Sequence, residues 1–221
     1  MAYEIYVKEL SLVFDSSTPE LSAIIARLFV LFEDLRIEEA ASRMPALPDL
    51  DVIGASYRKI YFVRRGIATL VEFGGALKML DEQPDFQQIR RGFKNGGPER
   101  WRDAVEFFVK QKPYLSKVRA DFGGHFDHAS ALHAVTDMHP ETRGVLEIVK
   151  NYAERTGGVR LKYAMDIVGT AMTRRRPVDQ TSDKYFNEMF TVVRTGFRHA
   201  VEAMHTVAAF HVLPRFGRPT R

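Results

Sequence analysis

The sequence predicts an all-α fold, a bundle of about four long helices with shorter helical pieces between them. Apolar residues recur at three- and four-residue spacing over most of the 221 residues, and proline or glycine residues separate these periodic segments. Val145, Ile148 and Val149 also allow one short β element near residues 145–149. We expect a single helical domain over residues 1–221, with an irregular lobe at 125–178 where the helical pattern is poor.

The first predicted helix opens at Ser17-Thr18-Pro19-Glu20. This run supplies a capping residue, a proline in the first turn and a glutamate three positions after the serine. Pro45 and Pro48 are predicted to end the helix. Its apolar face repeats at helical spacing through Leu21, Ile24, Ile25, Leu28, Phe32 and Leu35.

The second predicted helix runs from about Asp51 to Glu82. Apolar residues seven positions apart form a narrow stripe of the kind used between packed helices, namely Ile53, Ile60 and Ile67, and Val63, Leu70 and Leu77. Gly74-Gly75 weakens this helix but permits the close approach of a neighbour. Residues 84–97 are predicted to form a short helical turn and a loop.

A third helix is predicted from Pro98, with Trp101, Val105 and Phe108 facing inward and an interruption at Pro113. A further stretch carries Leu115, Val118 and Phe122 on one face until Gly123-Gly124 stops it. Helical character returns from Arg160 to Thr173, and the last helix runs from about Ser182 to Val212 before Pro214. Its predicted core stripe consists of Phe186, Phe190, Val193, Phe197, Val201 and Met204.

Composition excludes several classes of protein. The chain has no cysteine, so thiol nucleophiles, disulfides and thiolate zinc sites are absent. It shows no signal peptide and no apolar run long enough to cross a bilayer, so we expect a cytoplasmic protein without a membrane partner. No P-loop, dinucleotide-binding glycine motif or nucleophile elbow occurs.

Arginine outnumbers lysine, and the formal net charge is +4. Arginines cluster at Arg64-Arg65, Arg90-Arg91 and Arg174-Arg175-Arg176. Guanidinium groups suit two-point binding of phosphate, which favours nucleic acid or nucleotides as partners. Solvated helix faces explain the same clusters equally well, and the basic run before Pro177 is favourable at a helix C-terminus without any ligand.

The richest polar segment is Arg119 to His128. It joins one cation, the two carboxylates of Asp121 and Asp127, and the two imidazoles of His125 and His128 around Gly123-Gly124. The glycines end or bend the helix and allow the chain to turn His125 back towards Arg119. A polar cluster at such a break is where a helical bundle can open a pocket.

Arg119, five intervening residues and His125 resemble the R-x(4–6)-H motif of the HEPN superfamily. Here Ala120 follows the arginine, where a polar residue is common in that superfamily, and Asp121 comes one place later. The resemblance implies a compact helical bundle that binds RNA or acts as a metal-independent endoribonuclease of a toxin–antitoxin or defence system. It also implies a homodimer that brings two motifs together over the RNA, no cofactor, and an antitoxin or other protein partner.

In such a site, His125 would remove the proton from a ribose 2′-hydroxyl or protonate the leaving oxygen. Arg119 would neutralise the charge that builds on the phosphorus-centred transition state. Asp121, Asp127 and His128 would support the pair, for example when a carboxylate fixes the tautomer of an imidazole. Asp127 is the better candidate for this role, since on an ideal helix Asp121 points away from Arg119.

Two other interpretations of the segment stay open. His125, Asp127, His128 and His133 could bind a metal ion, although their spacing matches no standard motif. Alternatively, the segment is a polar hinge in a non-enzymatic interaction module, with Arg119 paired to Asp121 or Asp127. The same R-x(4–6)-H spacing also occurs from Arg194 to His199 and from Arg198 to His205, which we interpret as structural because no helix break is predicted there.

Overall fold

Helices make up most of the described chain, which confirms the all-α prediction. The computed structural model describes residues 11, 13–43, 52–123, 128–138, 141, 146–148, 159–161 and 164–216. The α-helices in these residues are α1 (Pro19–Arg43), α2 (Val52–Glu82), α3 (Pro84–Arg90), α4 (Gly97–Val118), α5 (His128–Asp137), α6 (Ala164–Met172), α7 (Ser182–Val207) and α8 (Leu213–Phe216). Two π-helical turns extend α4 and α7, at Arg119–Gly123 and Ala208–Val212.

One antiparallel pair of strands interrupts the helices. Strand β1 (Leu146–Ile148) pairs with β2 (Val159–Leu161), with Leu146 opposite Leu161 and Ile148 opposite Val159. The first strand lies where a short β element was predicted. The helix predicted from Arg160 begins instead at Ala164, because residues 159–161 complete the β pair.

By its internal contacts the chain divides into two compact units. The first consists of Met1–Arg36, Thr69–Pro113 and Val192–Arg221, and the second of Ile37–Ala68 and Tyr114–Thr191. Nothing in this division tests the single domain predicted over residues 1–221 or the irregular lobe at 125–178, so both stay predictions.

The core of the first unit is apolar and rich in aromatic rings. Trp101 of α4 is 1% exposed, lies 4.8 Å from Phe86 between ring centroids, and donates a 2.7 Å hydrogen bond from Nε1 to Asp81 Oδ1. Phe93 and Phe210 lie at the same centroid distance, 4.8 Å. Asn95 (φ 53°) and Gly96 (φ 76°) adopt left-handed backbone conformations just before α4, where a loop was predicted.

Of the adjacent pair Gly74-Gly75 in α2, only Gly74 serves the close approach predicted for the pair. A Cβ on Gly74 would lie 2.7 Å from Cδ1 of Phe108, whereas a Cβ on Gly75 would have no neighbour within 4 Å. Phe108 is itself 4% exposed and packs against Phe73 at 5.6 Å between ring centroids. The missing side chain of Gly74 therefore makes room for an aromatic ring of α4.

Pro113 does not interrupt α4, contrary to prediction. The helix runs through it from Gly97 to Val118, and Pro113 itself is exposed. A proline costs its helix one hydrogen bond and a steric contact, which buried side chains before and after it can offset. Phe108 on one side and Leu115 and Val118 on the other supply that burial.

The predicted core stripe of α7 is partly wrong. Val193 and Met204 are buried as expected, but Phe190 is 40% exposed and Val201 is 36% exposed. Small residues explain the difference, because a Cβ on Gly196 would already lie 3.2 Å from Leu70. The neighbouring helix packs closest where side chains are smallest. The buried positions of α7 are Tyr185, Met189, Val193, Gly196, Ala200, Ala203, Met204, Thr206 and Val207.

The final helix continues further than predicted. Regular α geometry ends at Val207, and the π-helical turn Ala208–Val212 leads directly into α8, which contains Pro214 in its first turn. None of the helices in the described residues has the length and hydropathy that a membrane span requires.

Candidate functional site at the end of α4

The polar segment predicted to carry the chemistry begins on a π-helical turn. At Arg119 the backbone of α4 changes from α to π geometry, and this turn ends at Gly123, the first of the two glycines predicted to stop the helix. In a π-helical turn, each backbone hydrogen bond joins residues five positions apart instead of four. Such turns are rare in proteins, and many of those that occur lie at functional sites. A break at the glycines was predicted, but the widened turn before them was not.

The structure places three of the five predicted site residues. Arg119 is exposed at the start of the π-helical turn, and His128 is exposed at the first position of α5. Asp121 is buried, with 3% of its surface exposed. His125 and Asp127 lie outside the described residues.

Asp121 forms a bidentate ion pair with Arg175, which follows α6. Arg175 Nη2 donates to Oδ1 at 3.0 Å, and its Nε donates to Oδ2. Arg174 Nη1 lies 3.5 Å from Oδ1, so two guanidinium groups share one carboxylate. Such charge-assisted pairs fix orientation as well as adding energy.

Sequence reasoning missed this ion pair. The run from Arg174 to Arg176 was interpreted as a basic helix end, and Asp121 as a partner for an imidazole or for Arg119. One local indication existed: Asp121 follows Val118 by three residues, which places it on the buried face of the helix, where a carboxylate needs a cationic partner. Because that partner lies 54 residues further along the chain, no local pattern identifies it.

The backbone of Asp121 has a second anchor. Ser130, which is fully buried in α5, donates a 2.7 Å hydrogen bond from Oγ to the carbonyl oxygen of Asp121. The π-helical turn is therefore connected to α5 through the carbonyl group and to the end of α6 through the carboxylate.

Tyr185 lies near this ion pair, and Tyr114 lies near Tyr185. Burial raises the pKa of Tyr185, the Asp121 carboxylate raises it further, and Arg175 opposes them. Burial, Tyr185 and Glu188 together raise the pKa of Tyr114 to about 12. Both phenols therefore stay protonated at neutral pH, which suits hydrogen-bond donors better than general bases.

The link between α6 and α7 is held by polar contacts. Arg176 Nη1 donates to the carbonyl oxygen of Gln180, and Gln180 Nε2 donates to Glu188 Oε2 at 2.8 Å. Arg175 and Arg176 thus donate hydrogen bonds to described residues, and Arg174 forms an ion pair with one.

The other two matches to the R-x(4–6)-H spacing lie within the continuous helix α7. The ring of His199 packs against Phe107, with 4.8 Å between ring centroids, and its Nδ1 lies 3.2 Å from Glu202 Oε2. Burial lowers the pKa of His199 more than Glu202 raises it. His205 is exposed.

In the described part of the chain, no three histidine, aspartate or glutamate side chains come together as metal ligands would. Two of the four residues considered for a metal site belong to this part, His128 and His133; His133 Nδ1 lies 3.2 Å from Asp137 Oδ2.

No protein-family model matches the chain, and no curated protein or solved structure shows a significant match to it. What its residues can do must therefore be inferred from their own chemistry and geometry.

Proposed function

We propose that the chain is a HEPN-like RNA-binding protein and metal-independent endoribonuclease, in which Arg119 and His125 act on the RNA backbone. One observation carries the proposal: the arginine of the motif begins a π-helical turn, a rare geometry that is frequent at functional sites. The two other matches to the motif lie in regular α-helix. Of the three matches, only that of Arg119 combines the motif spacing with such a turn.

The proposed reaction uses the RNA's own 2′-hydroxyl as nucleophile. His125 accepts its proton, the 2′-oxygen attacks the adjacent phosphorus, and the bond to the 5′-oxygen breaks as the protonated imidazole returns the proton to that oxygen. Arg119, which is exposed, would neutralise the charge on the non-bridging oxygens. The products are a 2′,3′-cyclic phosphate and a 5′-hydroxyl end, and DNA would not be cleaved.

Basic side chains lie beside the π-helical turn. Arg174 and Arg175 both bind the carboxylate of Asp121, which places two guanidinium groups next to the turn that begins at Arg119. Basic surfaces attract and position nucleic acid through its phosphates. The proposal includes a cytoplasmic homodimer, in which two copies of the motif face one RNA, and control by an antitoxin-like protein.

The test is cleavage of single-stranded RNA in EDTA by wild type and by Arg119→Ala and His125→Ala. We expect each variant to lose activity by about 100-fold or more, as is typical when a proton-transfer or charge-stabilising group is removed. Arg194→Ala and His205→Ala are matched controls, since they remove one exposed arginine and one exposed histidine of α7.

A DNA strand with one ribonucleotide sharpens the test, because cleavage is expected only after that residue. Wild-type protein that leaves RNA intact would overturn the proposed endonuclease. If the two α7 control variants lost as much activity, the assignment of catalysis to Arg119 and His125 would be wrong.

A second function is favoured by a different observation, the ion pair of Asp121 with Arg175. In a non-enzymatic helical interaction module, such an ion pair would hold a polar hinge between helices in place. In that case wild type, Arg119→Ala and His125→Ala would all be folded and all fail to cleave. RNA binding measured by fluorescence anisotropy would then separate a binding module for RNA from one for protein.

A further inference from the structure

We infer that Arg175 and Ser130 are positioning residues, which hold Arg119 in its working orientation through Asp121. This inference rests on the proposed function and assigns the support of the same site. It gives Asp121 a structural role, in contrast to the supporting role beside an imidazole that its sequence position suggested.

Two anchors hold the π-helical turn that carries Arg119, namely Arg175 and Ser130. Asp121 lies two residues after Arg119 on the same π-helical turn, so the orientation of the turn sets the direction of both side chains. Arg175 fixes the carboxylate at both oxygens, and Ser130 fixes the carbonyl group. The turn is therefore held at two chemically different points by residues of two other elements.

The hydroxyl of Ser130 adds a backbone anchor to the ion pair. Ser130 is fully buried in α5, and its 2.7 Å hydrogen bond reaches the carbonyl oxygen of Asp121. Because this acceptor belongs to the backbone, the bond holds the π-helical turn itself, whereas the ion pair holds a side chain of the turn.

The ion pair of Asp121 and Arg175 is suited to orienting groups more than to stabilising the fold. The side chain of Arg175 is 45% exposed while that of Asp121 is 5% exposed. Ion pairs of this kind contribute little net stability, because desolvation offsets their attraction, yet bidentate geometry restricts orientation strongly. Misplacement of a reacting group by about 1 Å can cost about 100-fold in rate.

The experiment compares Arg175→Gln, Arg175→Lys and Ser130→Ala with Arg174→Gln as the matched control from the same basic run. Cleavage of a fluorescent RNA in EDTA gives kcat and KM, and hydrogen exchange measures backbone protection over residues 119–130. For Arg175→Gln we expect kcat to fall by about 10- to 100-fold with KM nearly unchanged. Exchange over residues 119–130 should become faster.

Arg175→Lys keeps the charge but loses the two-point geometry, so it should resemble Arg175→Gln. Arg174→Gln should change both measurements less, because Arg174 reaches Asp121 with one nitrogen at 3.5 Å. Ser130→Ala should speed exchange and lower kcat in the same way.

Three outcomes would overturn the inference. In the first, Arg175→Gln raises KM without changing kcat, and the number of counterions released on RNA binding falls by about one. Arg175 would then be a phosphate contact instead. Unchanged exchange over residues 119–130 would show that the anchors do not hold the segment. A wild-type protein that protects residues 119–130 from exchange but does not cleave RNA would refute the proposed function and the catalytic part of this inference. The exchange data would still show whether Arg175 and Ser130 hold the turn.

Discussion

Arg175 donates hydrogen bonds to both carboxylate oxygens of Asp121, a residue 54 positions earlier in the chain. The carboxylate is almost fully buried, whereas the guanidinium group reaches the surface. Removal of Arg175 therefore takes the two-point partner from a buried carboxylate and leaves it the longer contact with Arg174, while removal of the carboxylate leaves a cation that water can still reach.

That asymmetry predicts how substitutions around the ion pair change the free energy of unfolding. We expect Arg175→Gln to lower it by about 1–3 kcal/mol, the usual range for a lost hydrogen bond to a charged group. Arg174→Gln, which removes one contact at 3.5 Å, should lower it by less than about 1 kcal/mol. Urea denaturation followed by far-UV circular dichroism measures both, and equal effects would contradict the dominant role of Arg175.

The two adjacent glycines of α2 should respond to alanine with opposite signs. Gly74→Ala pushes a methyl group into Phe108 and should destabilise the protein by about 1–3 kcal/mol. Gly75→Ala meets no neighbour within 4 Å and should stabilise it by about 0.5–1 kcal/mol, because alanine favours the helix. Thermal unfolding of both variants decides the point, and a loss of stability in Gly75→Ala would contradict it.

His211 should make stability depend on pH. Burial lowers its pKa, Arg215 lowers it further, and the backbone carbonyl of Val13 opposes them. The unfolded chain therefore takes up a proton near its ordinary pKa of about 6.5, before the folded chain does. The contribution of His211 to stability is present above that pH and is lost as the pH falls through and below it.

Replacing His211 with glutamine should therefore flatten the decline in the free energy of unfolding between pH 7 and pH 5. His199→Gln should act in the same direction, since burial also lowers the pKa of His199. Urea midpoints at several pH values measure the slopes. A His211→Gln protein with the same slope as wild type would contradict the assignment.

The single tryptophan gives an optical test of the first unit. Trp101 is 1% exposed, so its emission should be blue-shifted and resist quenching by iodide. Asp81→Ala removes the acceptor of its indole N–H and should destabilise the protein by about 1–3 kcal/mol. Asp85→Ala, an exposed change in the neighbouring helix α3, is the control and should have an effect within about 0.5 kcal/mol.

Local chemistry made much of the fold predictable. Proline at the start of α1 and apolar repeats along α2 predicted helices that begin at Pro19 and end at Glu82, because caps and periodic faces act within a few residues. Helix α5 was missed since its buried residues are the small Ser130 and Ala134, while Val135 is 70% exposed. No apolar stripe marks such a helix.

The site was predictable only in part for the same reason. The motif and the glycines located a helix break near Arg119, but π geometry depends on tertiary contacts that no spacing of residues encodes. Asp121 was singled out because it is near histidines, whereas its observed partners, Arg175 and Ser130, come from separate elements. Long-range pairs of this kind leave no local pattern in a single sequence.

The π-helical turn at Arg119–Gly123 also bears on how many residues a motif of this type can hold. A π-helical turn takes up one residue more than an α-helical turn does, so deleting the exposed Ala120 would convert one into the other while the flanking segments keep their places. The motif would survive with four intervening residues instead of five. Four and five intervening residues would thus correspond, in this chain, to two ways of winding a single turn.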